Sequence, residues 1–427
     1  MNHSISGSAF DSRQEWRAGT PCLIAAIVGY AVGFGLFFFT ANLFIEPMRT
    51  EFSWSASEAA FAPLSAVIAA LLFPVTGRLI DRFGPRPLAI IGLAGLAAQY
   101  LILAFADLNV TLLRLIAVLI GASAASAGAV TIGRGVASWF RINAGAAIGW
   151  AMSGATLGGA LGVPLVGLMI SHFGWRGAYV GMVGLIVVLG LPIVVLLFKM
   201  SSEAEAAKAV KTPDGVSPIA VPVRDPRFWL LTLSLAAAAL PIGMLLNHLQ
   251  PILLDQGLDA SLTVALATVF AGAAFGGRIL TGYLLDRLPP LAVATSCFVL
   301  AAIGAYLVFV SAWGDGAVPA SAGLALVGLS YGAEANFAAY FVLRFFGLAR
   351  FSLLFGIQSM LISLCIAVGG FATAVAADRL GSYADIATPV PLAFVCASAL
   401  MAALIIVTSR RAPDLEEIRE DRHAAAS

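Results

Sequence analysis

Two charged side chains interrupt long apolar stretches of this sequence, Arg278 in residues 262–284 and Glu334 in residues 317–341. A guanidinium inside an apolar helix costs about 2.5–3.5 kcal/mol on insertion scales, so we expect it to face a wet cavity and bind an anion. Its planar fork matches a carboxylate with two parallel hydrogen bonds. A carboxyl group removed from water tends to keep its proton. The two residues therefore predict a site that binds an organic anion and carries a proton.

Arg134 is a second arginine within an apolar stretch. It follows Arg114 by twenty residues, which is about 30 Å along a helix. Each of the two could reach its own membrane interface through its aliphatic stem. The alternative places Arg134 on the cavity wall as a second contact for the anion. Arg278 has the same interfacial alternative, because Asp286 lies only eight residues further on.

Other polar side chains accompany these candidates. Asn336 and Tyr340 follow Glu334 on the same stretch and are candidate hydrogen-bonding groups for a substrate. Asn247 is a further candidate, and its neighbour His248 titrates near neutral pH, which suits a proton carrier. Two alternatives stay open: Glu334 in a permanent structural ion pair, and His248 as a satisfied polar residue at the cavity mouth.

The elements that position these groups are predicted to be membrane helices. The chain has 427 residues, of which 60% are hydrophobic and 11% are charged, whereas soluble proteins have about 25% charged residues. It contains twelve apolar stretches, most of them long enough for the roughly 20 residues that cross a bilayer. They cover 21–45, 57–75, 88–106, 110–137, 145–170, 178–199, 228–254, 262–284, 291–313, 317–341, 351–377 and 388–408. We therefore predict an all-α membrane protein with twelve transmembrane helices.

The distribution of basic residues predicts the orientation. Eighteen of the 24 Lys and Arg residues fall in the termini or in the even-numbered connections. Four lie at the opposite ends of the spans: Arg49, Arg114, Arg176 and Arg379. Two lie within spans: Arg134 and Arg278. The positive-inside rule then places both termini and the polar segment 200–227 in the cytoplasm. A surface helix is expected over residues 202–210.

Glycine and proline spacing predicts local packing. Two GxxxG pairs, Gly158–Gly162 and Gly272–Gly276, predict close helix contacts. Pro164 predicts a bend in the fifth span. Gln250 and Pro251 predict a break in the seventh span, which would let a gate move.

The chain also repeats itself at about half its length. A charged stretch over residues 77–87 is expected to form a tight non-helical connection, since it holds Gly84 and two prolines. It has a weaker copy over residues 282–290, 205 residues further on. The matched residues are Gly77, Asp81 and Arg82 in the first copy and Gly282, Asp286 and Arg287 in the second. Three glycines, at 149, 162 and 174, recur at an offset of 207 residues. Two offsets that agree so closely indicate duplicated halves.

The first charged stretch closely resembles the loop signature between helices two and three of the major facilitator superfamily, and the second is similar to its degenerate partner. The resemblance implies two pseudo-symmetric six-helix bundles with the substrate site between them near the midplane. It also implies that both signatures latch helix ends at a cytoplasmic gate. We expect an N-terminal bundle over 1–199, a cytoplasmic linker over 200–227, a C-terminal bundle over 228–408 and a cytoplasmic tail over 409–427.

Further stretches resemble the monocarboxylate-porter and oxalate–formate-antiporter branch. They include Glu51-Phe52-Ser53-Trp54, Phe173-Gly174-Trp175-Arg176 and Asn247-His248-Leu249-Gln250-Pro251. This resemblance implies that Arg278 binds the substrate carboxylate. Two departures accompany it. Ala274 stands where monocarboxylate porters often carry an Asp. Residues 351–377 lack the basic residue that oxalate–formate antiporters carry there. The missing second cation argues against dicarboxylates such as oxalate.

These observations predict a secondary transporter of a small organic monocarboxylate with an aliphatic or aromatic body, working by alternating access with proton symport in a plasma (inner) membrane. Its partners would be the anionic substrate, protons and the bilayer, with a monomeric functional unit and no nucleic acid. We find no phosphate loop, nucleophile elbow or zinc spacing, and the four cysteines lie far apart. The sequence therefore predicts no enzyme, cofactor or metal. The alternatives are proton-coupled efflux of amphipathic drugs or metabolites and a non-transporting sensor.

Overall fold

The chain folds into long helices that pack in two groups. The computed structural model describes residues 12–59, 61–209, 224–310, 318–380, 383, 386 and 389–424. The first group comprises α1 (Ser12–Phe52), α2 (Phe61–Phe83), α3 (Pro85–Phe105), α4 (Val110–Ala137), α5 (residues 144–173) and α6 (residues 175–197). The second comprises α7 (Pro226–Asp255), α8 (Ala260–Arg287), α9 (Pro290–Phe309), α10 (Val318–Phe346), α11 (Phe351–Leu380) and α12 (Val390–Ala424). Shorter helices cover Ala56–Ala59, Ser202–Ala209 and Leu348–Arg350.

This architecture confirms the predicted all-α membrane fold. Ten helices of the described residues are long and apolar enough to cross a membrane. One of these, Ala144–Leu197, turns at Gly174 (φ 71°, ψ 171°) and so contains both α5 and α6. The helix α10, which carries Glu334, is not among these ten. It is 29 residues long, which is sufficient length for a twelfth crossing.

Several helices extend beyond the apolar stretches that predict them. The helix α2 continues to Phe83, so most of the charged stretch 77–87 is helical and Gly84 alone leaves the helix, with a φ of 93°. The prediction of a non-helical connection is therefore wrong for residues 77–83 and 85–87. The physical reason is that a helix can continue past the hydrocarbon, where charged side chains such as Arg82 reach water. Pro85 then starts α3 at a position where its missing N–H is not needed.

Some membrane helices contain local irregularities. In α1 a π-helical turn covers Ala31–Gly35 and a 3₁₀ turn covers Ala41–Phe44. The helix α7 is continuous through Pro251 to Asp255, so the predicted break at this proline is wrong. Prolines are tolerated within membrane helices where neighbouring groups satisfy the freed backbone carbonyl.

Glycines set the helix contacts within each group. A Cβ atom at either glycine of Gly158–Gly162 would collide with α1, which confirms the close packing predicted there. A Cβ at either glycine of Gly272–Gly276 would meet no heavy atom within 4 Å, so the second predicted contact is wrong. On α8 the packed glycine is Gly277, which abuts the backbone of α10. The buried face of α8 therefore differs from the predicted one.

The two groups meet at one end of the molecule, which we call the terminal face because α1 starts there. A Cβ at Gly145 would lie 2.5 Å from the Gly282 carbonyl oxygen. One turn further, a Cβ at Gly149 would lie 2.5 Å from the Arg278 carbonyl oxygen. The small residues thus let the backbones of α5 and α8 touch.

The α2–α11 contact repeats this arrangement. Gly77 abuts the backbone of Ser352, and a Cβ at Gly356 would lie 2.6 Å from the Phe73 carbonyl oxygen. Gly77 of α2 corresponds to Gly282 of α8 at the offset of 205 residues, and Gly149 of α5 corresponds to Gly356 of α11 at the offset of 207. The same offset of 205 pairs Phe73 with Arg278. The two helix contacts are therefore pseudo-symmetric, but only one of them carries a buried cation.

Towards the opposite face, α5 and α8 stand apart. Along the side of α5 that faces α8, Met152 is buried, Thr156 is half-buried and Val163 is exposed. On the corresponding side of α8, Ala271 and Thr268 are exposed. The space between the groups therefore opens towards the opposite face and closes near Arg278.

A buried carboxylate fixes the turn that leads into α5, the helix that contacts α8. Glu15 of α1 is 1% exposed and accepts hydrogen bonds from the backbone N–H groups of Arg141, Ile142 and Asn143. These bonds hold the turn that precedes α5. The next backbone N–H groups of α5 are thereby left free for a partner from the other group.

Candidate functional site

Arg278 reaches across from the second group to the first. Its Nη1 donates to the Met152 carbonyl oxygen of α5 at 2.6 Å, and the residue is only 7% exposed. Its Nε has no hydrogen-bond partner among the described residues. The guanidinium is therefore not extended towards the terminal face, and one of its donors is buried without a partner among the described residues.

Glu334 lies beside Arg278 but does not pair with it. The two are close enough to interact electrostatically, yet no ion pair between them forms within the described part of the chain. Glu334 is 4% exposed, and its Oε1 lacks a hydrogen-bond partner among the described residues. The permanent ion pair that stood as an alternative is thus absent from this conformation.

Asn336 and Tyr340 hydrogen-bond to α8 and do not contact the side chains of Arg278 or Glu334 through any hydrogen bond among the described residues. The Asn336 amide donates to the Arg278 carbonyl oxygen at 2.6 Å and to the Thr281 hydroxyl at 3.1 Å. The Tyr340 hydroxyl donates to the Leu285 carbonyl oxygen at 3.1 Å, near the terminal face. In this conformation both side chains fasten α10 to α8, and neither is adjacent to the open space.

Arg134 also crosses between the groups, at the terminal face. Its Nη1 donates to the carbonyl oxygen of Leu348, in the connection between α10 and α11. The guanidinium is also close enough to Asp81 to interact electrostatically with it. The structure therefore places Arg134 in the closed end, and not on the cavity wall beside Arg278.

Asp286 makes the clearest contact at the closed end. Its two carboxylate oxygens accept the backbone N–H groups of Gly145 and Ala146, each at 2.8 Å. These N–H groups belong to the first turn of α5, where the helix dipole favours a negative charge. Arg82 and Arg287, the neighbouring signature residues, lie over the rings of Phe83 and Tyr283.

Asn247 and His248 lie near the opposite face, away from Arg278. The Asn247 amide donates to the Gly243 carbonyl oxygen one turn back in α7, at 2.8 Å. His248 Nε2 lies 3.0 Å from the Gly370 carbonyl oxygen of α11. Gly370 is fourteen residues beyond Gly356, about 21 Å along the helix. His248 therefore ties α7 to α11 at the open end.

Comparisons with known proteins agree with this arrangement. Residues 23–370 match the family profile described as Major Facilitator Superfamily. The chain belongs to the Major Facilitator Superfamily. Within the superfamily it is similar to monocarboxylate transporter 13 of Bos taurus, with 26% identity over 62% of this chain and 59% of that protein. It is also similar to the fujikurins efflux protein of Gibberella fujikuroi, with 26% identity over 56% of this chain and 50% of that protein.

The chain spans between 50% and 63% of the length of the curated superfamily relatives that it matches. Among solved structures it resembles the Escherichia coli fucose:proton symporter FucP, with a TM-score of 0.68 and 14% identity. That match covers 90% of this chain and 99% of the other. At this identity the likeness shows the shared fold of the superfamily.

Sequence reasoning missed two side chains that lie near Arg278 in this superfamily member, and a third that lies on the facing helix α5. The hydroxyl of Tyr331 is within reach of the guanidinium, and Tyr30 of α1 is close enough to interact electrostatically with both. Thr156 lies one turn beyond Met152, and its hydroxyl is buried without a partner among the described residues. Tyr331 stands three residues before Glu334, so helical spacing could have indicated it. Nothing in the sequence brings α1 or α5 to Arg278.

Polar atoms without partners thus lie on α8 and α10 around Arg278. Buried polar atoms are nearly always hydrogen-bonded. The unpartnered atoms here are Arg278 Nε, Glu334 Oε1 and Asn336 Oδ1, and each is closed to solvent in this conformation. They are one unsatisfied donor and two unsatisfied acceptors.

Proposed function

We propose that this protein is a secondary active transporter that moves a small organic monocarboxylate by alternating access, together with a proton. The observation that carries the proposal is the buried Arg278, whose Nε–H has no partner among the described residues. Glu334 lies beside it, and the two side chains do not form an ion pair. The similarity to monocarboxylate transporter 13 supports the same substrate class.

Charge balance explains why a proton would accompany the anion. Arg278 and an ionised Glu334 together carry no net charge, so a bound carboxylate leaves one uncompensated negative charge in the site. Burying an unpaired charge costs several kcal/mol. A proton on Glu334 removes that charge, and the closed, loaded site becomes neutral. The transporter would therefore change state readily only when it is empty or carries both substrate and proton.

The closed and open ends correspond to one step of this cycle. By the positive-inside rule, we place the terminal face, both chain termini and the linker on the cytoplasmic side of a plasma (inner) membrane. The cavity then opens outwards, with Arg278 at its inner end. Asp286 on the α5 N-terminus and Arg134 on Leu348 would separate when the bundles over 1–199 and 228–408 rock to the inward-open state. His248 and Asn247 would act at the outer gate.

The test uses purified protein in liposomes with an imposed pH gradient. Wild-type protein should accumulate a radiolabelled monocarboxylate, and Arg278→Gln should weaken binding roughly ten- to hundredfold, since a hydrogen bond to a charged group contributes about 1.5–3 kcal/mol. Glu334→Gln should keep substrate exchange but lose accumulation driven by the gradient. Arg114→Gln is the matched control, because Arg114 is an exposed arginine at the end of a span. Monocarboxylate uptake that is unchanged in Arg278→Gln would refute the proposal.

A second candidate is efflux of amphipathic compounds by proton antiport. The partnerless Glu334 and the nearby aromatic rings of Tyr30 and Tyr331 would attract a cation, and one relative is a fujikurins efflux protein. This function predicts that cationic compounds bind and that Arg278→Gln leaves their affinity unchanged. The liposome assay separates the two functions when both ligand classes are tested.

A further inference from the structure

Aromatic rings follow one side of α1 from the depth of Arg278 towards the open end. Tyr30 stacks on Phe34 with 5.6 Å between ring centroids, and Phe34 stacks on Phe38 at 5.4 Å. Phe34 is half-buried and Phe38 is 38% exposed. The three rings form a continuous strip, which we call the α1 strip.

The α1 strip faces the space between the two groups of helices. The residues between its members pack inside the first group, because Ala31 and Gly35 meet α5, Val32 meets α6 and Gly33 meets α3. Tyr30 is close enough to Arg278 and Tyr331 of the second group to interact electrostatically with both. The side of α1 that carries the strip is therefore turned away from its own group and towards α8 and α10.

A second aromatic surface lies on the other side, next to Arg278. Tyr331 of α10 stacks almost parallel on Phe270 of α8, with 5.9 Å between centroids and an interplanar angle of 7°. The Arg278 guanidinium carbon lies 5.9 Å from the centre of the Tyr331 ring. The cation thus lies at the inner end of the space, and ring surfaces lie beyond it on both sides.

We infer that the substrate is a planar aromatic monocarboxylate, with its carboxylate on Arg278 and its ring between Phe34 and Tyr331. This inference rests on the proposed function and narrows its substrate class. A planar ring that stacks on these surfaces gains about two- to twelvefold in affinity beyond simple area burial. A saturated ring of the same carbon number buries similar area but cannot stack.

The experiment measures the affinity of full-length protein in nanodiscs for three acids by isothermal titration calorimetry. Phenylacetate has a planar ring, cyclohexylacetate has a saturated ring with the same number of carbons, and propionate has none. Wild-type protein should bind phenylacetate about twofold to twelvefold more tightly than cyclohexylacetate. In Phe34→Leu this preference should shrink, because one of the two ring surfaces is lost, while dependence on Arg278 remains. Phe105→Leu is the matched control, because Phe105 ends α3 and is 73% exposed.

Each outcome has a defined meaning for the two proposals. Equal affinity of wild-type protein for the planar and saturated acids, both lost in Arg278→Gln, would overturn the aromatic inference and leave the monocarboxylate function standing. Binding of all three acids that is unaffected by Arg278→Gln would overturn both. Because the comparison of acids on wild-type protein decides the question, a poorly folded Phe34→Leu protein would not prevent an answer. Tyr331→Phe keeps the ring and should retain the preference.

Discussion

Replacing Asp286 by alanine is expected to open the terminal face. The Asp286 carboxylate accepts the N–H groups of Gly145 and Ala146 at 2.8 Å each, and these two residues belong to the other half of the molecule. The change removes both hydrogen bonds and a negative charge from the N-terminus of α5. It leaves the backbone contact between Gly145 and Gly282 in place. The effect should therefore fall on the equilibrium between closed and open forms.

The size of the shift is the difference between the free energy that Asp286→Ala costs the closed form and the free energy that it costs the open form. A hydrogen bond to a charged group contributes about 1.5–3 kcal/mol to the closed form. In the open form water can solvate both the carboxylate and the N–H groups, so we expect a net loss of about 1–3 kcal/mol for the pair. That corresponds to a roughly 5- to 150-fold shift in the closed-to-open ratio.

Distances between spin labels on the two halves can measure this shift. Suitable sites at the terminal face are Ile142, which is 48% exposed before α5, and Leu288, which is 51% exposed after α8. Labels there require a background in which the four native cysteines are replaced. Pulsed electron–electron resonance should show a longer-distance population in Asp286→Ala.

A matched control distinguishes loss of the contact between halves from loss of a helix cap. Asp259 caps α8 through the Leu262 N–H at 2.9 Å, within one half and near the opposite face. Asp259→Ala should leave the label distances unchanged. A distance distribution in Asp286→Ala that equals the wild-type distribution would refute the reasoning that this carboxylate holds the terminal face closed.

Three further changes have defined outcomes. Gly149→Val should destabilise the α5–α8 contact by roughly 1–3 kcal/mol through overpacking, since a Cβ there would lie 2.5 Å from a carbonyl oxygen; an unchanged melting temperature would contradict this. Glu51→Gln should cost about 1 kcal/mol in denaturant unfolding, because Glu51 accepts from Trp175 at 2.6 Å and Arg176 at 3.1 Å; equal midpoints would oppose it. The Ser261 hydroxyl and the Leu262 N–H lower the pKa of Asp259, so Asp259→Ala should reduce the melting temperature at pH 7. The difference from wild-type protein should narrow as pH falls below 3.8, where the carboxylate becomes protonated. A difference in melting temperature that is independent of pH would exclude the ionised carboxylate as its cause.

The repeat of the two halves is exact in its helix contacts but not in its charge. Phe73 occupies on α2 the position that Arg278 occupies on α8, and both lie where a glycine of the other half abuts their carbonyl oxygen. The other buried guanidinium, Arg134, lies at the closed end. A single guanidinium at the depth of Arg278 matches the single negative charge of the monocarboxylate that we propose.

The fold could be predicted from the sequence because membrane helices are determined locally. Each of the twelve apolar stretches is defined by consecutive residues, and the bias of basic residues and the repeated glycines need only a comparison of positions along the chain. The same local evidence marked Arg278 and Glu334, since a charge in an apolar stretch is costly wherever the helix packs. The ends of the helices were less certain, because α2 continues to Phe83 through charged residues that reach water.

Only the tertiary structure decided which side of each helix faces the space between the halves. It placed Arg134 and Tyr340 at the closed end, and it brought Tyr30 of α1 and the Met152 carbonyl oxygen of α5 to Arg278. Spacing along one helix shows which residues share a side, but not which other helix that side meets. That choice depends on packing between segments more than a hundred residues apart, so a single sequence reveals the charged groups of the site and not the groups that surround them.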